Sequence, residues 1–335
     1  IIRLVHPPKK SMQKRNLLTK MGPILVLFIL SPVIAELLSG STPASRSGQL
    51  IFESVFYGSA ALLIREFVIR YKLGWPSIIL LGFAFGIIEE CLLLQSAFNP
   101  HFLNLDISFG RLWGVNWVWS EIIITNHAIW SITIPVLFTE LIFASRKAEP
   151  WLSKFGIGFI AILYLLSSFA FYFTFYKMSG FSATLIHHVV AGLLAVGIIL
   201  TAARLPVNLF VKYHVKTPPA LVLFILTFLI SLFWLSLLSL VFKKEPGVPA
   251  WLVELSGIMV ISVSLFFILG WINSKWSSIH SFSLGCGALY AGMVFGLIIL
   301  IQSMNKLDVI FQIIFIVIIS VLTGLLRKRL LNTDS

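Results

Sequence analysis

Ten apolar runs, each close to the length that crosses a bilayer, follow one another along this chain. Bounded by proline, glycine and charge, they fall near residues 22–40, 49–70, 75–97, 116–143, 156–175, 181–202, 219–242, 250–271, 281–303 and 307–326. A helical crossing needs about 20 apolar residues, and in hydrocarbon only helices and closed barrels satisfy their own backbone hydrogen bonds. The strand-type alternation of a barrel is absent. The expected fold is therefore all-α, a polytopic transmembrane helix bundle of about ten helices. Composition agrees: with 58% hydrophobic and 11% charged residues, the chain cannot cover a water-facing surface, which takes about a quarter charged residues.

Lysine and arginine resist translocation, so their placement orients the bundle. If the N-terminus is inside, most of the 25 basic residues lie in inner segments, and only Arg46, Arg111, Lys177, Lys243, Lys244 and Lys306 lie in outer ones. Both the N-terminus and the C-terminus are thus expected inside. The net charge of +12 sits in short loops and tails rather than on one amphipathic face. It points to anionic lipid headgroups and away from nucleic acid. The expected setting is an integral protein of a prokaryotic plasma membrane, with the lipid bilayer as its main partner. Residues 24–35, ILVLFILSPVIA, follow a basic stretch and are read as a retained first helix rather than a signal peptide. Cys91 and Cys286 each lie inside an apolar run, so neither a disulfide framework nor a CxxC knuckle is available.

Ionisable residues within spans are almost confined to the part before residue 205. This divides the chain into a basic segment (1–21), a six-helix core carrying the polar site (22–205) and a four-helix scaffold with a basic tail (206–335). A charged group in hydrocarbon costs roughly 2.5–3.5 kcal/mol even on lenient scales, so such residues face protein or a wet cavity. In the third run Gly82, Gly86, Glu89 or Glu90, and Leu93 recur at helical spacing, placing the acids on a small-residue stripe where another helix packs closely. Two neighbouring carboxylates in a low dielectric do not both ionise readily, so the pair is expected to share a proton that a site can use. In the fourth run Ser120, Ile124, His127 and Ser131 share one face, with Glu121 and Thr125 on the adjacent one. The sixth run carries His187 and His188.

Counting about 1.5 Å per residue, Glu36, Glu53, Glu89, Glu90, Glu121, His127, His187 and His188 all fall in the outer half of the bilayer. They are expected to line one polar cavity, either opening outward or sealed by the aromatic connection from Asn99 to Trp119, which otherwise serves as an interfacial aromatic belt. Arg65, Glu66 and Glu140 lie toward the inner face, where an ion-pair clamp is expected. Imidazole and carboxylate suit a divalent metal such as zinc. Adjacent His187 and His188 diverge by about 100°, however, so a metal site would have to draw ligands from several helices.

A glutamate pair on one helix, a histidine on the next and another histidine two helices later resembles the CPBP family of intramembrane proteases, which includes the CAAX prenyl endopeptidases. Glu89 and Glu90 match its EExxxR motif, His127 its FxxxH motif and His187 or His188 its HxxxN motif, over residues 75–202. Leu94, Ile123 and Ala191 or Gly192 stand where that family has arginine, phenylalanine and asparagine. The resemblance implies hydrolysis by water that the glutamate and histidines activate. Glu89, Glu90, His127, His187 and His188 are then the candidate catalytic residues, with Glu121, Glu53, Glu36 and Gln95 in support and a peptide or lipid-linked substrate. Two other classes use the same residues: a proton- or cation-coupled transporter, and a structural or immunity-type membrane protein in which the cluster only specifies packing.

Overall fold

The computed structural model describes residues 17–102, 109–206, 216–243, 247–271 and 276–334. Most of the basic N-terminal segment, residues 103–108 of the aromatic connection, and Lys212 and Lys275 lie outside the described residues. The helices are α1 (17–37), α2 (49–70), α3 (Trp75–Leu93), α4 (Trp117–Ile142), α5 (Lys154–Ser179), α6 (Leu185–Arg204), α7 (Ala220–Val241), α8 (Ala250–Trp271), α9 (Ser278–Gln302) and α10 (Lys306–Asp334). The fold is the expected all-α polytopic bundle. Among the described residues, nine helices are long and apolar enough to span a bilayer; α2 is the exception. Its deficit comes from Glu53, Arg65, Glu66 and Arg70. Of these, Arg65 and Glu66 are fully buried, so protein rather than lipid surrounds them.

Local sequence sets the boundaries. The Asn116 side chain accepts from Trp119 N (2.8 Å) at the start of α4, and Ser153 and Thr184 cap α5 and α6 in the same way. Gln95, with φ +56°, turns the chain after α3. A short antiparallel hairpin, β1 (Arg111–Leu112) and β2 (Val115–Asn116), leads into α4. It is fastened below by Asn116 N to Ala97 O (2.8 Å) and by the Arg111 guanidinium to Phe98 O (2.8 Å).

α3 packs between α4 and α6, α1 packs on α2 and α4, and α9 lies along α7 and α10. One buried cluster joins both halves of the chain, with Ile34, Trp119 and Phe138 against Leu235, Phe282 and Met293. The α3–α4 contact is close because Gly82 and Gly86 have no side chain. A Cβ there would lie 2.9 Å from Ala128 O and 2.8 Å from Ile124 O, where no side chain fits without a shift. Basic residues gather at one end of the bundle. Arg146 bonds to Lys20 O (3.0 Å) at the start of α1, and Arg329 bonds to Leu141 O (2.5 Å) at the end of α4. At the opposite end Ser45 bonds Asp308 through its backbone N–H and hydroxyl, each at 2.8 Å.

Candidate functional site

Helices α1 to α4 share a feature that sequence periodicity does not show. Each contains a π turn: Val33–Leu37, Ser54–Gly58, Ile88–Leu93 and His127–Thr133. Among the described residues all π turns fall in these four helices. Such turns shift the backbone bonding to i→i+5, re-aim side chains and recur at functional sites. Here they carry Glu36, Tyr57, Glu89 with Glu90, and His127.

These side chains meet. His127 Nε2 lies 2.7 Å from Glu90 Oε1, and its Nδ1 lies 3.1 Å from Glu89 Oε2 and 3.1 Å from Ser131 Oγ. Both acids therefore face the imidazole. They diverge around α3 and approach the ring from opposite edges, Glu89 at Nδ1 and Glu90 at Nε2. The Tyr57 hydroxyl donates to Glu89 Oε1 (2.6 Å), and the Tyr57 ring stacks on the imidazole at 5.9 Å between centroids. Glu36 reaches the same hydroxyl from α1 and interacts electrostatically with His127. On the other side, the Ser96 hydroxyl donates to Glu90 Oε2 and accepts from the Trp119 indole N–H (2.9 Å). Glu89, Glu90 and His127 are buried, and Glu89 Oε2, though 3.1 Å from Nδ1, makes no contact in hydrogen-bond geometry. Among the described residues no lysine or arginine pairs with Glu89 or Glu90. The centre therefore holds more acid than base. Its three residues offer ligand atoms that all lie within 4.8 Å of one another, a spacing a metal ion can bridge.

Other expected members stand apart. The His187 ring stacks on Phe98 at 4.6 Å; its Nε2 meets Trp113 O (3.2 Å) and its Nδ1 meets Thr184 Oγ1 (2.9 Å). It fastens the hairpin to the start of α6 and does not join His127. His188 Nδ1 donates to Thr184 O (3.0 Å) in its own helix. Depth brought both histidines level with the acids, but the α6 cap holds them at the rim. Glu121 faces α8, with an oxygen 2.6 Å from the place a Cβ on Gly257 would take and Glu254 as its electrostatic neighbour. Gln95 Oε1 accepts from Ala183 N (2.6 Å), tying the end of α3 to the start of α6. Glu53 lies one step outward: Oε1 accepts from Thr42 (2.7 Å), Oε2 is buried without a partner, and Glu36 is its electrostatic neighbour.

Sequence reading missed Tyr57, Ser96 and Trp119. Tyr57 was within reach, since it follows Glu53 by four residues and so shares its helix face. Ser96 lies beyond the helical part of α3, where periodicity says nothing.

Toward the basic end, Arg65 forms a second polar cluster. Its guanidinium meets Glu140 (3.2 Å), Glu66 (3.3 Å), Glu149 O (2.7 Å) and Lys147 O (2.6 Å), and it lies 3.5 Å over the Trp151 ring. Glu66 in turn accepts from Trp151 N (2.5 Å) and pairs with Arg70 (3.1 Å). This is the expected clamp between α2 and α4. Between the two clusters lie Ala61, Leu62, Ile132 and Val136, all fully buried.

Fold and site together define a multi-pass helical membrane protein with a buried acid–imidazole centre formed by its first four helices. The chain belongs to an uncharacterized membrane protein family, whose profile it matches over residues 25–327. That match gives no support to the CPBP resemblance. No curated protein and no solved structure matches the chain.

Proposed function

We propose that this protein is an intramembrane hydrolase acting in the half of the bilayer away from its basic face. The observation that carries this reading is the convergence of Glu89, Glu90 and His127, drawn from two helices, on one buried point with an excess of carboxylate. In the proposed step a water held at that point gives a proton to a carboxylate while its oxygen attacks a carbonyl or phosphoryl centre. The same proton then passes to the leaving group. His127 holds Glu90 through Nε2, and the Tyr57 hydroxyl orients Glu89. A peptide or lipid-linked substrate suits a site reached from within the bilayer. The basic face is read as cytoplasmic by the positive-inside rule, which would set the site toward the outer leaflet.

The buried layer of Ala61, Leu62, Ile132 and Val136 favours a one-sided site over a proton relay crossing the membrane. Tyr57 and Arg65 are eight residues apart on α2, roughly 12 Å at the helical rise. On α2 the intervening side chains offer a proton no hydrogen-bonding group except Ser59, and on α4 the hydroxyls of Thr133 and Thr139 are taken up by backbone carbonyls of their own helix.

The test is purified protein in liposomes, presented with quenched peptides and with lipid-linked peptides and phosphodiesters. Cleavage lost in Glu90→Gln and His127→Asn, with melting temperature kept, supports the reading. Cleavage that persists in both variants, or dissipation of an imposed pH gradient with no cleavage of any substrate, overturns it.

A further inference from the structure

The three central residues are each held on the far side by a dedicated partner. Tyr57 holds Glu89 Oε1 (2.6 Å), Ser96 holds Glu90 Oε2, and Ser131 meets His127 Nδ1 (3.1 Å). Glu90 Oε1 and His127 Nε2 face each other at 2.7 Å, and Glu89 Oε2 lies 3.1 Å from the Nδ1 edge of the same ring, so one ligand atom from each residue falls within 4.8 Å of the others. Ligands oriented through their outer atoms while their inner atoms converge are the usual surroundings of a bound metal ion. Glu89 Oε2 adds an independent sign, being an oxygen of a residue only 1% exposed whose one close polar neighbour, His127 Nδ1 at 3.1 Å, is not in hydrogen-bond geometry.

The balance of charge points the same way. Glu89 and Glu90 are buried beside one imidazole, with Glu36 a short distance beyond Tyr57. Two buried carboxylates that share one imidazole and have no lysine or arginine are stabilised, when ionised, by a positive charge among them. A divalent ion that takes the place of the direct Nε2–Glu90 contact neutralises both acids and leaves His127 neutral, with Nε2 ligating and Nδ1–H donating to Ser131. One imidazole and two carboxylates form a nitrogen–oxygen set of the kind zinc accepts. Three protein ligands also leave a fourth position open for water.

We propose that Glu89, Glu90 and His127 bind one divalent cation of the zinc class, in which Tyr57, Ser96 and Ser131 act as positioning residues. This deepens the hydrolase reading, since it assumes the same three residues are the working centre and names what polarises the water. The ion would hold the water and lower the cost of deprotonating it, while Glu36 lies beyond Tyr57 as a further acid.

The experiment is zinc titration of the purified, chelator-treated full chain in nanodiscs, read by bound metal per chain and by melting temperature, with X-ray absorption on the loaded protein. Expected are one ion per chain, a rise in melting temperature, and a nitrogen–oxygen shell at about 2.0–2.2 Å that includes imidazole. His127→Ala and Glu90→Gln should weaken binding more than 100-fold, and Ser96→Ala by about 10- to 100-fold. Glu121→Gln, a carboxylate of the same helix outside the cluster, should bind as the parent does. Ser96→Ala keeps every ligand, so it carries the test if a ligand variant fails to fold. The proposal is overturned if no saturable site is found, or if zinc binds equally to the parent, His127→Ala and Ser96→Ala proteins, which would mark surface adsorption. Because the readout is bound metal, a chain that binds zinc yet cleaves nothing would sink only the hydrolase reading. Cleavage without metal would sink only the present one.

Discussion

Helices α2 and α4 each carry polar groups at two depths, and the two clusters are built to opposite rules. Around Arg65 the donors of the guanidinium meet two carboxylates and two carbonyls, and Glu66 is shared by Arg70 and a backbone N–H. Around His127 acids outnumber bases, and one carboxylate oxygen makes no contact in hydrogen-bond geometry. A saturated cluster holds helices in place. One left short of positive charge is what the proposed ion-binding centre requires, and on that proposal the contrast separates architecture from chemistry within the same two helices.

The strongest challenge to this division is Arg65→Met. It leaves Glu66 and Glu140 buried without their partner and should cost about 3–5 kcal/mol of stability, measured by unfolding in detergent. A loss as large from Glu90→Gln would erase the distinction. Gly86→Ala comes next. Its methyl group would sit 2.8 Å from Ile124 O, so α3 and α4 must part, at about 1–3 kcal/mol. Cleavage should fall with it, because Glu90 is drawn away from His127.

Tyr57→Phe removes the donor to Glu89 while keeping the ring stacked on the imidazole. A hydrogen bond to a charged group is worth about 1.5–3 kcal/mol, so turnover should drop by roughly tenfold or more while the melting temperature moves little. An unchanged turnover would take Tyr57 out of the working site. His187→Ala is the smallest effect: loss of its contact with the hairpin should cost about 1 kcal/mol or less and leave cleavage within about twofold. A collapse of activity there would return His187 to the chemistry.

Sequence made the helices legible, because apolar length is what a bilayer selects. It brought Glu89, Glu90 and His127 to one level. The small residues Gly82 and Gly86 even marked which side of α3 would meet a neighbour. Direction around the helix axis was another matter. His187 and His188 share the depth of the centre, yet the Thr184 cap and the hairpin decide where they point. Glu121 precedes His127 by six residues on the same helix and turns to α8 instead. π turns leave no compositional mark, so counting at 100° per residue fails just where the polar side chains converge. The partners on the far atoms come from tertiary contact alone, which is why Ser96 and Trp119 escaped notice.

The apolar layer of Leu62, Ile132 and Val136 has an electrical consequence. A transmembrane voltage is worth about 2.3 kcal/mol per unit charge per 100 mV, and it falls mostly across the driest part of a protein. With that insulation between His127 and the basic end, an ion or proton arriving at the centre from the far side crosses little of the field. Occupancy should then follow the chemistry of the adjoining compartment and be nearly indifferent to membrane polarisation.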